Sequence, residues 1–244
     1  RAADVADRVR RLGGDGRLVP GADGGLLHGG LLEKLVVTAL AKLTNFVPDG
    51  GLWLNTQRPE WNDANNALAG PGLSMVTLYH LRRYVDLVRT LTEAIPTATV
   101  TFSSAVAEWL DDVRSILAEI DESPIDDHRR RSVLDALGRS GEAHRHRIEA
   151  GSGLDEVSVS VDDIRDLCTV SCAQLDRSIR SAKRPDGLYH SYNRVTFPTP
   201  ATACVDHLGP MLEVQVAVLT SRVLGAGEAA DHDGVAGRGR VVDR

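Results

Sequence analysis

The densest group of chemically capable side chains in this sequence lies between Trp53 and Asn66. The stretch holds two Trp, four Asn, and one each of Arg, Glu, Asp and Gln, and Gly and Pro residues interrupt it and flank it, which predicts a loop. A core has little use for so many polar groups, because each one needs a partner when buried. A solvent-exposed loop has little use for two tryptophans. The combination favours a site for a polyhydroxylated ligand, and the alternative is a well-ordered structural loop.

The segments around this loop are predicted to be helical. Apolar residues recur at helical spacing in five segments: residues 31–46, 73–94, 104–121, 160–183 and 206–224. Residues 1–12 and 126–150 are weaker helices, and Ser160 has the sequence context of an N-cap. One short extended piece is expected at residues 157–159, and other strand signals are nearly absent. The sequence therefore predicts an all-α fold made of helical hairpins.

Composition narrows the function classes. The chain of 244 residues carries a net charge of −6, which argues against non-specific binding to nucleic acid. No apolar run has the length of a membrane span and no signal peptide opens the chain, so we expect no membrane partner. Three cysteines do not make a disulfide framework, and Cys168 and Cys172 are expected to be small buried residues of a protein in the reducing cytoplasm.

We expect neither a metal nor a cofactor, because the histidines do not have the spacing of a ligand set. His144 and His146 point to different sides of a helix, and a solvated face is the better reading. Residues 225–244 lack periodicity and are predicted to be a disordered tail. Because the first residue is Arg1 rather than Met, we expect either a fragment of a longer parent chain, the remainder of which is needed for function, or a processed or mis-started reading frame.

The sequence Glu60-Trp61-Asn62-Asp63 resembles the Asp-Trp-Asn-Asp-Gly motif of cellobiose and chitobiose phosphorylases. Glu60 replaces the leading Asp, and Pro59 and Ala64 stand where the family has Gly. The resemblance covers about residues 52–84. It implies an (α/α)6 toroid, a fold shared by a wider set of inverting glycosidases, with residues 1–224 forming part of that catalytic domain.

The resemblance also implies roles for individual residues. By motif position Glu60 is the general acid that protonates the glycosidic oxygen, and Asp63 is the rival acid. The remaining residues expected to contact an oligosaccharide substrate are Trp53, Gln57, Arg58, Trp61, Asn62 and Asn65 in the loop, and Tyr189, His190 and Tyr192 in a second polar and aromatic loop. No base is evident in the sequence, so inorganic phosphate as co-substrate fits as well as water.

Two alternatives to an enzyme stay open. A non-catalytic helical module that binds a glycan or a partner chain would keep the tryptophans and the amides without using an acid. In the third interpretation, Arg58, Glu60 and Asp63 form an internal ion-pair network that fixes the loop.

Overall fold

The structure, a computed structural model, describes residues 2–21, 25–55, 68–121 and 123–238. Its helices are α1 (Ala2–Leu12), α2 (Leu31–Leu43), α3 (Met75–Glu93), α4 (Ser104–Ala118), α5 (Asp127–Glu149), α6 (Val161–Ser181), α7 (Leu212–Thr220) and α8 (Ala226–Arg238), with a short 3-10 helix at Gly13–Arg17. Its strands are β1 (Phe46–Val47), β2 (Gly51–Trp53), β3 (Gly72–Ser74), β4 (Thr99–Ser103), β5 (Glu156–Ser160), β6 (Tyr192–Thr196) and β7 (Cys204–His207).

The prediction of an all-α fold formed from part of an (α/α)6 toroid is wrong, because the chain is mixed α/β. Five strands form a curled antiparallel sheet in the order β1-β2-β3-β6-β7, and β4 pairs with β5 in a second antiparallel ladder. Each strand has between two and five residues. Strands this short do not develop the alternating apolar pattern by which a strand is recognised in a sequence.

Four of the five helices predicted from apolar spacing are confirmed as α2, α3, α4 and α6. The hydroxyl of Ser160 accepts a hydrogen bond from the backbone N–H of Asp162, so the predicted N-cap of α6 is confirmed as well. The fifth prediction, a helix over residues 206–224, is wrong at its start. There the chain completes β7 and begins α7 only at Leu212.

Helices α2 to α7 share an apolar core with part of the sheet, and a smaller second cluster surrounds Leu73 and Val195 of the sheet. Each of these six helices contributes apolar side chains that recur every three or four residues. The most buried members include Leu40 of α2, Leu78 of α3, Leu110 of α4, Leu175 of α6 and Val218 of α7. Removing such stripes from water is the main stabilising contribution to a fold of this kind.

A paired set of charges joins α3 to α6 beside this core. The guanidinium of Arg82 donates to both carboxylate oxygens of Asp176, over 2.8 and 3.2 Å. Both side chains are largely shielded from solvent, with 13% and 18% of their surface exposed. The fork geometry fixes the register of the two helices more strictly than apolar contact would.

The end of the described chain is helical: α8 occupies residues for which the sequence predicts a disordered tail. His232 in this helix is buried, and its ring nitrogens lie 3.3 Å from the carbonyl oxygen of Gly187 and 3.0 Å from that of Gln215. Among the helices described here, none combines the length and the apolar character needed to cross a membrane.

Candidate functional site

The connection between β2 and β3 carries most of the residues predicted to form a site. The two strands are antiparallel neighbours, with Trp53 opposite Leu73. They are joined by residues 54–71, whereas connections of this kind are usually about two to five residues long. Gln57, Arg58, Glu60, Trp61, Asn62, Asp63 and Asn65 all fall at positions 56–67, outside the described residues.

Both ends of this connection are held together by hydrogen bonds. The backbone N–H of Leu54 donates to the carbonyl of Gly72 over 2.9 Å, and the indole N–H of Trp53 donates to the carbonyl of Gly70 over 2.7 Å. The indole of Trp53 therefore cannot rotate freely, and its orientation is set by the closing end of the loop. A fixed, partly exposed aromatic face of this kind is suited to stacking.

A second aromatic ring and a cation extend the surface at Trp53. The ring of Phe197 lies 5.9 Å from that of Trp53, tilted by 46°, and 40% of Phe197 is exposed. The guanidinium of Arg131 lies 4.8 Å from the centre of the Phe197 ring. This cation–π contact holds Phe197 beside Trp53 and leaves an apolar shelf next to the loop.

A small cleft of about 180 Å³ opens next to Trp53. We call it the Trp53 cleft, and its lining residues are Thr44, Asn45, Trp53, Asn55, Leu134, Gly138 and Arg145. Two of them follow α2 and three belong to α5, so these helices supply most of its walls. The two helices come close together because Gly141 has no side chain. A Cβ at that position would lie 3.1 Å from the Cβ of Thr44.

The polar groups of the Trp53 cleft include both a hydrogen-bond acceptor and a cationic donor. The side-chain amide of Asn45 donates to the carbonyl of Ala41 over 2.9 Å, which leaves its amide oxygen to accept a ligand hydroxyl. Arg145 is exposed and adds a cationic donor. The seven described residues that line the cleft include no carboxylate. The arrangement can stack a ring, bind hydroxyls and attract an anion.

The second predicted loop lies elsewhere, and two of its aromatic side chains are in the core. Tyr189 and Tyr192 are 2% and 1% exposed, and neither lines the Trp53 cleft as its described residues define it. The ring of Tyr189 meets His232 edge-on at 5.4 Å. The sequence predicted that these residues form a wall of the ligand site, because aromatic rings beside polar residues are typical both of binding sites and of the edge of a core.

His190, the third predicted residue of that loop, belongs to a hydrogen-bonded cluster at the edge of the sheet. Its ring stacks on that of His207 at 4.0 Å, and Nδ1 of His207 donates to the amide oxygen of Asn193 over 2.8 Å. Asn193 in turn donates to the carbonyl of Gly50 over 2.6 Å. The cluster ties β6 and β7 to the turn that precedes β2.

The stacked histidines are disposed to remain neutral. Loss of hydration lowers the pKa of both rings, and for His207 the positive charge that His190 would acquire lowers the pKa further. The two rings therefore resist protonation together, and in the neutral ring of His207 the single proton lies on Nδ1, which donates to Asn193.

Another cavity lined by described residues, about 720 Å³, lies between α2, α4, α5 and the segment that precedes α2. Its polar residues include Glu33 and His144, neither of which sequence reasoning chose. Glu33 has the usual position of an acidic residue in the first turn of a surface helix. His144, predicted to be on a solvated face, is half-buried and stacks on Trp109 at 4.0 Å. No signal within the sequence separates these two from their exposed counterparts.

Within the described ranges, no group of three or more His, Cys, Asp or Glu side chains is placed to hold a metal ion. No protein-family model matches this chain, and no curated protein matches it either.

Proposed function

We propose that this protein binds a carbohydrate at the connection between β2 and β3 and cleaves a glycosidic bond there, with Glu60 as the general acid. The observation that carries the proposal is the length of that connection, residues 54–71, between two strands that are direct neighbours. Neighbouring antiparallel strands are usually joined by about two to five residues, and connections much longer than this often carry binding or catalytic residues. Because both ends of this one are anchored in one sheet, a linker role does not fit.

The described residues at its base support a sugar ligand. A sugar ring presents C–H bonds on its faces and hydroxyls at its edge, and Trp53 with Phe197 offers aromatic surface while Asn45 and Arg145 offer polar groups. The Trp53 cleft has about 180 Å³, whereas complete ligand pockets have about 300–1,000 Å³. The remaining contacts are proposed to come from the loop residues Gln57, Arg58, Trp61, Asn62 and Asn65.

The proposed chemistry is an inverting displacement at the anomeric carbon. The carboxylic acid of Glu60 gives its proton to the glycosidic oxygen as the bond to the anomeric carbon breaks, and the nucleophile attacks that carbon from the opposite face. In a hydrolase a second carboxylate about 6.5–9.5 Å away activates water. The described residues lining the Trp53 cleft include Arg145 and no carboxylate, which favours inorganic phosphate as the nucleophile.

The test is a sugar-release assay on the full-length chain with a panel of α- and β-linked disaccharides, with and without phosphate. Glu60→Gln keeps the shape of the side chain and removes the proton, so we expect turnover to fall by about 10²–10⁴-fold with retained binding. Glu119→Gln, an exposed carboxylate at the end of α4, is the matched control and should keep full turnover.

Each outcome assigns a role. Loss of turnover in Asp63→Asn but not in Glu60→Gln would transfer the acid to Asp63. Turnover that requires phosphate identifies a phosphorylase, and turnover in its absence identifies a hydrolase. Unchanged turnover in both variants would refute an acid at this motif.

The second candidate function is a non-catalytic module that binds a glycan. The absence of a carboxylate among the described residues lining the Trp53 cleft favours it, because an inverting hydrolase needs a base opposite its acid. Saturable binding of a disaccharide, weakened by Trp53→Ala, without turnover of any substrate in the panel would support this function over the first.

A further inference from the structure

The 720 Å³ cavity between α2, α4 and α5 has the dimensions of a ligand site in its own right, within the range of about 300–1,000 Å³ found for small-molecule pockets. We call it the Glu33 cavity. Its walls are mostly apolar, and the side chains that make them so are Leu18, Val19, Leu26, Leu27, Val37, Val106 and Ile148. An apolar body of a ligand would therefore be favoured inside it.

A buried carboxylate stands in this apolar surrounding. Glu33 is 8% exposed, and its Oε1 accepts two hydrogen bonds from Ser103, 2.8 Å from the backbone nitrogen and 2.7 Å from the hydroxyl. Ser103 is the N-cap residue of α4, so Glu33 also faces the positive end of that helix. The carboxylate is thus held in one orientation.

The second oxygen of Glu33 differs from the first in its hydrogen bonding. Both hydrogen bonds described for this carboxylate end on Oε1, which leaves the lone pairs of Oε2 for a ligand. The backbone passes close to Oε2 at Gly29, where a Cβ would lie 2.6 Å from this oxygen. The absence of a side chain at Gly29 keeps the space around Oε2 open.

His144 adds a second acceptor to the same cavity. Its Nδ1 lies 3.3 Å from the carbonyl oxygen of Ala105, and since a carbonyl can only accept, Nδ1 carries the proton. Burial lowers the pKa of His144, so the ring is neutral near pH 7 and its Nε2 is an acceptor. Stacking on Trp109, with the ring planes 15° apart, fixes the ring in place.

We propose that the Glu33 cavity binds an organic amine with an apolar body, whose ammonium group donates hydrogen bonds to Oε2 of Glu33. A carboxylate in an apolar setting is stabilised by a cation that can donate to it, and a ligand carboxylate would be repelled there. Lys34 also lines the cavity but is exposed, and an exposed lysine keeps its charged head in water while its stem covers apolar surface. This site is separate from the proposed carbohydrate site, and neither proposal depends on the other.

The experiment is calorimetric titration of the full chain with hexylamine, with hexanol and hexanoate as probes of equal chain length. We expect saturable binding of hexylamine and binding of hexanol and hexanoate that is at least about tenfold weaker. In Glu33→Gln the affinity for hexylamine should fall by about 10- to 100-fold, the loss that corresponds to one hydrogen bond between charged groups, while that for hexanol should not fall.

A second variant leaves Glu33 and Ser103 intact. Val37→Trp fills the cavity from α2 and should abolish hexylamine binding, whereas Val216→Trp, at a position of α7 that is 57% exposed, is the matched control and should not. Three results would overturn the proposal: no saturable binding of hexylamine, equal affinity for hexylamine and hexanol, or undiminished hexylamine binding by a folded Val37→Trp variant.

Discussion

Replacing Arg130 by Met should lower the free energy of unfolding more than any exposed substitution on the same helix. Arg130 lies in the first turn of α5 and is 8% exposed. Its guanidinium donates to the carbonyl oxygens of Pro48 and Ala203, each over 2.9 Å, and to that of Ile125 over 3.3 Å. It also pairs with Asp127. One side chain therefore joins the turn between β1 and β2 to α5 and to the start of β7.

The magnitude follows from what Arg130→Met leaves behind. Met retains most of the apolar contact of the arginine stem, so the loss is chiefly that of the hydrogen bonds. The two bonds to Pro48 and Ala203 have good geometry, and hydrogen bonds to a charged group contribute about 1.5–3 kcal/mol each. Asp127 is 46% exposed, so water replaces most of its pairing. We expect a loss of about 3–5 kcal/mol, comparable to that of breaking a buried charged network.

The assay is urea unfolding followed by circular dichroism, with Arg129→Met as the matched control. Arg129 precedes Arg130, is exposed, and donates from its guanidinium to the carbonyl of Glu119 over 2.9 Å, so its replacement should cost no more than about 1 kcal/mol. If the free energy of unfolding of Arg130→Met lies within about 1 kcal/mol of that of the control variant, the assigned role of this network is wrong.

Three further outcomes are expected. The pKa values of His190 and His207 are lowered in the folded chain, so the unfolded chain binds protons more readily. The free energy of unfolding should therefore fall as the pH drops below about 6.5. Urea titrations across this range measure the fall, and replacing both histidines by Gln should remove their part of the pH dependence. Burial raises the pKa of Cys168 to about 12 and of Cys172 to about 11, so both thiols should react with iodoacetamide much more slowly in the native than in the unfolded chain, and equal rates in mass spectrometry would contradict this. Gly51 has φ of 125°, and a Cβ there would lie 3.0 Å from a backbone oxygen. Gly51→Ala should therefore lower the free energy of unfolding by about 1–3 kcal/mol. A Gly51→Ala variant that melts like the wild type would contradict this strain.

The helices were predictable because their signal is local. The spacing of Leu78, Leu81, Val85 and Val88 marks the buried face of α3 within a few turns, and all four side chains are buried in the core. The sheet was not predictable, because its signal is not local. Leu73 of β3 pairs with Asn193 of β6, so the partner that makes this short segment a strand lies far along the chain.

The candidate sites show the same division. The density of Trp, Asn and acidic residues marks the connection between β2 and β3, and Trp53 does open onto a cleft. For Tyr189 and Tyr192 similar composition predicted a ligand wall, yet burial places both in the core. Glu33 is the converse case, since the hydrogen bonds that orient its carboxylate come from Ser103, which only the folded chain brings beside it. Residue type predicts which chemistry is available, and tertiary contact decides which groups remain free to perform it.

The two clefts share one pair of helices, α2 and α5. The beginning of α2 carries Glu33, which lines the Glu33 cavity. Thr44 and Asn45 follow the end of α2 and line the Trp53 cleft. On α5, His144 and Arg145 are consecutive and face one cleft each. A ligand that binds the Glu33 cavity and separates α2 from α5 would have to alter the Trp53 cleft as well, because the same close approach of the two helices shapes both. Any coupling between them must be reciprocal, so a carbohydrate would change the affinity for an amine by the same factor as the amine changes the affinity for the carbohydrate.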